Sequence, residues 1–371
     1  MNLGIIADDF TGANDVALQL SKYGIKVESL IDLKNMPEYF VYSTETRNAK
    51  EKDAREKLDI TYKMLKTKNV DKIYKKIDST LRGNIKTEIE VLLENIDLEE
   101  KVAVVLPFPK LGRIVKNGKL WIDGVELKDT SFAKDPYWKL ESSNVLDYFG
   151  GELISLEELR SENMVSLLEN KKSRVLVFEA ETNEDLDKIS KLLIKQKLDK
   201  YLVASAGIME FMLHNWGFEK EKILVVSGSC NKININQTKL FIEEYKPSIY
   251  DYYVDEEKVL FEEGKEGYIL RSIRDGEERS SKDIEIIKKA IAQRAKEICE
   301  KQKIKKIVLS GGDISIAFME EFGITKLEIL SEIETGIGFG TSGDWQLIMK
   351  PGGYGSEKIY EKMYSFLKKY R

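Results

Sequence analysis

Two short polar clusters stand where a strand-like run gives way to a helical pattern. The first is Asp8-Asp9, which follows Leu3–Ala7 and precedes Ala13, Val16, Ala17 and Leu20 at i, i+3, i+4 and i+7. The second, Lys75-Lys76-Ile77-Asp78-Ser79-Thr80-Leu81-Arg82-Gly83-Asn84, packs cations, a carboxylate, hydroxyls and a glycine into ten residues. Adjacent aspartates also start ordinary helices, and a capped helix start would account for Ser79 or Thr80. That reading leaves Asp78 and Arg82 unused. Open α/β sheets bind ligands at the carboxyl ends of their strands, and this mixture of groups suits a ligand bearing a carboxylate and hydroxyls.

The second half of the chain offers a different chemistry. Val226-Ser227-Gly228-Ser229 follows ILVV, Ser310-Gly311-Gly312-Asp313 follows KIVL, and Pro351-Gly352-Gly353-Tyr354-Gly355 follows WQLIMK. A glycine turn after a strand exposes backbone N–H groups at a helix start, where phosphates bind. One such turn is bare αβ geometry; three in one half point to a nucleotide. No Walker A loop occurs. Gly338, Gly340 and Gly343 fit G-x-G-x-x-G, but no clean strand precedes them and no βαβ unit follows. They are expected to form a loop over part of a nucleotide.

The elements that must position these groups alternate. Strands are expected at Leu3–Ala7, Lys72–Ile77, Val102–Leu106, Val175–Phe178 and Tyr201–Ala204. Helices are expected from Thr11, as cap, to Tyr23, over Asn84–Glu94, and after a Thr182/Asp185 capping box. Asn117-Gly118 and Asp123-Gly124 predict a small antiparallel meander over Arg113–Leu127. A second α/β series starts at Ile223, with residues 275–283 as a polar loop. The fold class is therefore α/β, with two domains, 1–217 and 222–371, on mainly parallel sheets.

Composition narrows the function. The 371 residues carry a net charge of −5, with 42% apolar and 33% charged residues. An acidic balance speaks against a nucleic-acid partner, and no apolar run reaches membrane-spanning length. Without a signal-peptide pattern at Met1–Phe10, a cytoplasmic protein is expected. Cys230 and Cys299 are too few for a disulfide framework, and His214 is the sole histidine, read as a structural helix residue. Catalysis must then run on carboxylates, lysines, arginines and backbone amides.

IADDFTGANDVA and KKIDSTLRGNI resemble the two signatures of the four-carbon acid sugar kinase family. The likeness continues through LPFPKLGRIVKNG, DGVELKDTSFAKDP, FEAETNEDL, ASAGI, SGSCNKININQ, LSGGD and KPGGYG. The resemblance implies a sugar-acid-binding first domain, an ATP-binding second domain and a reaction cleft between them. It places Asp8, Asp9, Lys76, Asp78, Ser79 and Arg82, with Arg47 of TETRNA, on the substrate side. Ser229, Gly311, Gly312, Asp313, Gly352 and Gly353 fall on the ATP side. Where the family usually has serine, threonine, threonine, serine and phenylalanine, this chain has Asn231, Asn234, Ile314, Pro351 and Tyr354.

The implied reaction is phosphorylation of a sugar-acid hydroxyl by ATP, with Mg2+ held mostly by the phosphates and water and no protein metal ligand assigned. Asp8 or Asp9 is the expected base, with Asp78 next, and Arg82, Arg47 and Lys76 would hold the substrate carboxylate. A homo-oligomer is admitted. Two other readings stand beside this one: a catalytically inactive sugar-acid sensor, and an NAD-dependent hydroxy-acid dehydrogenase using the 338–343 glycines.

Overall fold

Runs of four or five apolar residues form strands buried on both faces, as a parallel sheet under helices requires. The computed structural model describes residues 1–138, 140, 142–229, 231–252, 257–260, 266–272 and 281–370, with the backbone alone at 252, 257–260 and 281–284. The chain divides into two units, Met1–Glu219 and Lys220–Arg371.

The first unit contains β1 (Leu3–Ala7), β2 (Glu28–Leu30), β3 (Tyr39–Ser43), β4 (Lys72–Lys76), β5 (Val102–Val105), β6 (Arg113–Lys116), β7 (Lys119–Ile122), β8 (Val125–Glu126), β9 (Glu152–Ile154), β10 (Val175–Phe178) and β11 (Tyr201–Ala204). Eight of them make one sheet, ordered β2-β3-β1-β4-β11-β5-β10-β9, with every pair parallel. Alternate residues of β1 feed opposite core layers: Leu3, Ile5 and Ala7 one, Ile6 the other. Ala7 pairs with Ser43 of β3 and Lys76 of β4, so three strands end at one level.

The expected meander is present as the antiparallel β6-β7-β8 sheet. Its turns place Asn117 and Gly118, then Asp123 and Gly124, at positive φ, the signature of type I′ hairpins. The first helix runs Phe10–Ser21, and its cap is Asp9, not Thr11: the Asp9 carboxylate accepts from Gly12 N at 2.8 Å. A carboxylate there also faces the positive helix end. The Thr182/Asp185 capping box forms as expected, and His214 sits exposed on the Met209–Asn215 helix.

The second unit contains β12 (Ile223–Ser227), β13 (Ser248–Tyr252), β14 (Glu257–Leu260), β15 (Gly267–Arg271), β16 (Lys306–Ser310), β17 (Glu328–Glu334), β18 (Ile337–Ser342) and β19 (Trp345–Lys350). The order β14-β13-β15-β12-β16-β19-β18-β17 is parallel from β13 to β19 and antiparallel toward both edges. Ser227, Ser310 and Lys350 pair in one register, so the three glycine turns also begin level with one another.

Gly338 and Gly340 are not in a loop. They lie inside β18, paired on both sides, and Gly343 forms the β18–β19 hairpin turn at φ +56. A Cβ at Gly340 would lie 2.5 Å from Glu328 O, so this glycine serves strand packing. Of the loop expected over 275–283, residues 275–280 lie outside the described residues, and from Ser281 the chain is helix, Ser281–Gln302. Among the described residues no helix is long and apolar enough to cross a membrane.

Candidate active site

The chain turns sharply at the ends of β1, β3 and β4, and backbone hydrogen bonds fix how. Thr46 N and Arg47 N both donate to Asp8 O, at 2.9 and 3.1 Å. Asn84 Nδ2 donates to Thr46 O and Ala49 O, closing the same loop from the other side. Beneath it, Lys75 Nζ lies 3.0 Å from Glu88 Oε1, with both side chains buried, and Thr46 Oγ1 donates to the same carboxylate oxygen. Burial raises Glu88 above the ordinary carboxyl value, and Lys75 opposes that shift.

The loop so held delivers Arg47 to both aspartates. Its Nε and Nη2 donate to the Asp8 carboxylate at 2.7 and 3.1 Å. Its Nη1 and Nη2 donate to the Asp9 carboxylate at 2.6 and 2.9 Å. Asp8 is buried, with 2% side-chain exposure, whereas Asp9 keeps 22%. Four of the five guanidinium donors are thus engaged within the protein.

Asp78 is held from the other direction. Arg82 Nε and Nη2 meet its two oxygens at 2.8 and 3.1 Å, and Thr80 N, Arg82 N and Thr80 Oγ1 all donate to Oδ2. Burial alone would push this carboxyl up; the Arg82 fork, nearby Arg47 and Thr80 outweigh it and hold Asp78 well below the usual range. The geometry needs buried Leu81 at φ +63, costly for a branched side chain and retained where the surrounding contacts over-determine it. Lys76 is buried too, and desolvation lowers its pKa despite Asp8 and Asp78. Its ammonium fits beside the first helix because residue 12 is glycine: a Cβ there would lie 3.0 Å from Lys76 Nζ and 2.5 Å from Asp9 Oδ1.

These elements wall a cavity of about 420 Å³. Asp8, Asp9, Arg47 and Arg82 line it, while Lys76, Asp78 and Ser79 are buried away from its wall. Ser79 accepts a hydrogen bond from Arg113 of β6. Sequence reasoning missed Glu45, Asn48, Asp135, Tyr137 and Trp138, which with Phe10 and Thr11 complete the lining. Asp135 reaches Arg82 Nη1 at 3.2 Å from 53 residues away, and Trp138 Nε1 donates to Asn48 Oδ1 at 2.8 Å. No local periodicity marks such a return; the carboxylate at the end of DTSFAKDP was its one visible sign.

In the second unit the expected residues also converge. Gly228 N donates to Ser310 O and Gly311 N to Lys350 O, so the backbone links the three turns in sequence. A Cβ at Gly352 would lie 2.0 Å from Ser229 Oγ, and one at Gly353 2.9 Å from Asn231 Nδ2. Asp313 is exposed in the first turn of the Gly312–Glu321 helix. Ile314 packs its Cγ1 into the space beside Gly228, and Asn231 caps the Lys232–Tyr245 helix through Ile233 N at 2.9 Å.

Residues 3–212 match the family described as a sugar-binding N-terminal domain, and residues 271–359 the one described as a nucleotide-binding C-terminal domain. The chain belongs to the four-carbon acid sugar kinase family. Among family relatives, a D-threonate kinase of Salmonella typhimurium is 27% identical over 96% of both chains. A 3-oxo-tetronate kinase of Haemophilus influenzae is 23% identical over 97% of this chain and 98% of its own. A D-erythronate kinase of Heliobacterium modesticaldum is 28% identical over 51% of this chain and 47% of its own. The family fold is also that of a solved domain of unknown function from Bordetella bronchiseptica, a domain-swapped dimer with bound citrate. It superposes with TM-score 0.64 at 19% identity, covering 100% of both chains.

Proposed function

We propose that this chain is an ATP-dependent kinase that phosphorylates a hydroxyl of a small sugar acid of the four-carbon class. One observation carries the reading: the cavity at the ends of β1, β3 and β4 sets the carboxylate Asp9 against Arg82, which keeps guanidinium donors beyond those given to Asp78 and Asp135. A hydroxyl can give its proton to the former while a substrate carboxylate meets the latter.

Asp9 is the base in this reading. It keeps more exposure than Asp8, and Arg47 together with Gly12 N fixes its orientation. Asp78 is held too acidic to take a proton near neutral pH and serves to aim Arg82. Arg47 orients both aspartates and stabilises their negative charge. Lys76 adds positive charge behind them. The Gly228 and Gly311 N–H groups tie the turns together, and the turns' other backbone N–H groups are the ones that meet the nucleotide phosphates in this reading. Mg2+ would come on those phosphates and neutralise charge developing there. Among the described residues no group of three or more His, Cys, Asp or Glu could cage it alone, and Asp313 is the acid beside the second turn. The reading puts the enzyme in the cytoplasm, and self-association stays compatible with it.

Residues that depart from the family pattern do not favour an inactive sensor. Ile314 is buried against Gly228, and Asn231, though exposed, caps a helix. The glycines invoked for a dinucleotide stand in β18 and its turn. The test is ADP release with Mg-ATP across a panel of four-carbon sugar acids, with three- and six-carbon controls. Turnover on a four-carbon acid, lost about 10²–10⁴-fold in Asp9→Asn with ATP binding intact, supports the reading. ATP binding without turnover on any acid would refute it.

A further inference from the structure

Asn234, on the buried face of the Lys232–Tyr245 helix, touches all three glycine turns with one amide. Its Nδ2 donates to Ser227 Oγ at 2.9 Å and to Ser229 O at 3.3 Å, the entry and body of the first turn. Its Oδ1 accepts from Ser310 Oγ at 2.7 Å, the last residue before Gly311-Gly312. The same oxygen accepts from Lys350 Nζ at 3.2 Å, and that ammonium also donates to Pro351 O and Gly352 O, the start of the third turn. Tyr360 OH is a further donor to Oδ1, at 2.7 Å, from the Ile359–Lys369 helix, and it also reaches the Ser227 and Ser310 side chains where the first two turns begin.

The amide's orientation is not arbitrary. A lysine ammonium only donates, so the atom it meets must be oxygen, which leaves the NH2 for Ser227 and Ser229. An amide offers two donors, here given to Ser227 and Ser229, and an oxygen with two lone pairs, which Ser310, Tyr360 and Lys350 share, Lys350 at the longest distance. A threonine has one hydroxyl and cannot bridge five groups at once. The residue is 1% exposed and therefore has no route to solvent for hydrogen bonds it would lose.

We propose that Asn234 is a positioning residue for nucleotide binding, joining the three turns into one phosphate cradle. It acts through the turns and does not itself meet the nucleotide. The proposal rests on reading the second unit as the ATP site. Phe241, buried on the same helix and packed against the Tyr245, Tyr360 and Tyr364 rings, supplies the packing control.

The test uses the full chain, with ATP and ADP as probes in equilibrium binding, beside melting temperature and kinetics. Asn234→Ala is expected to raise the ATP Kd and KM at least ~10-fold while the sugar-acid KM changes less than ~2-fold. Asn234→Thr should fall between the two chains, and Phe241→Leu should lower the melting temperature with ATP Kd unchanged. If Asn234→Ala or, should that variant not fold, Asn234→Thr matches Phe241→Leu in losing stability alone, Asn234 is core packing and the proposal fails. An unmutated chain that binds neither ATP nor ADP removes the nucleotide reading itself, and the proposal with it.

Discussion

Arg47 grips Asp8 through Nε and Asp9 through Nη1, at 2.7 and 2.6 Å, while its own backbone N–H is bonded to Asp8 O. One guanidinium therefore sets the spacing of two like charges that would otherwise repel. Lysine keeps the charge but not the fork, so it can satisfy one aspartate at a time. Arg47→Lys is expected to lose at least ~10²-fold in kcat/KM for the sugar acid, because a misplaced base near the reacting hydroxyl is that costly. The ATP Kd should stay within ~2-fold. Steady-state kinetics with varied sugar acid, beside ATP titration, checks both; unchanged kcat/KM would separate Arg47 from the chemistry.

Asp78 is the acid that holds the cluster's stability. Its folded pKa is depressed, so its contribution is present above the ordinary aspartate value of about 3.9 and is lost as pH falls below it. Asp78→Asn leaves Arg82 without its forked partner and should cost about 3–5 kcal/mol at pH 7. Urea unfolding at pH 7 and again near pH 3 tests the sign: the gap between the two chains should narrow at the lower pH. A gap that stays constant would mean packing, not charge, supports Asp78.

Much of this fold and site is legible in the sequence. Strands β1, β5, β10 and β11 read directly from apolar runs, because strands buried on both faces need little but hydrophobicity, whereas β4, KIYKK, reads as a strand from its place in the alternation with helices. Asp8, Asp9 and the Asp78–Arg82 stretch were visible because each lies at a strand-to-helix junction. Arg47 was reached only through family resemblance, since its role depends on β3 lying beside β1. Asp135 and Trp138 escaped because long-range closure leaves no periodic trace. The 338–343 glycines misled for the opposite reason: spacing matched a phosphate loop, while tertiary pairing made them strand.

Lys350 makes the nucleotide side sensitive to protons. It is 1% exposed, its hydrogen-bond partners are neutral oxygens, and burial pushes its pKa down to about 8. Between about 8 and the ordinary lysine value near 10.4 the unfolded chain binds the extra proton, so this residue makes stability rise with pH across that window. Phosphates beside the ammonium would favour its charged form and raise the pKa. ATP binding at pH 8 should therefore take up about half a proton. Calorimetry in two buffers of different ionisation enthalpy measures it, and Lys350→Met should abolish the uptake. Uptake surviving in that variant would assign the proton elsewhere.

Gly312 and Gly352 separate protein packing from ligand approach. At Gly352 a methyl group would collide with Ser229 Oγ at 2.0 Å and Ser229 Cβ at 2.8 Å, so the protein itself requires glycine there. At Gly312 a Cβ would meet nothing within 4 Å, and φ is not in the left-handed region, so the protein alone does not. Gly352→Ala should then lower both melting temperature and ATP affinity, and removing the hydroxymethyl group in Ser229→Gly should recover part of each. Gly312→Ala should leave the fold intact or stabilise it by about 0.5–1 kcal/mol, since alanine is the better residue in a helix. Yet it should weaken ATP binding at least ~10-fold, because in the proposed reading a phosphate comes close to the backbone in the open space above Gly312. A Gly312→Ala chain that binds ATP normally would show that the nucleotide approaches by another turn.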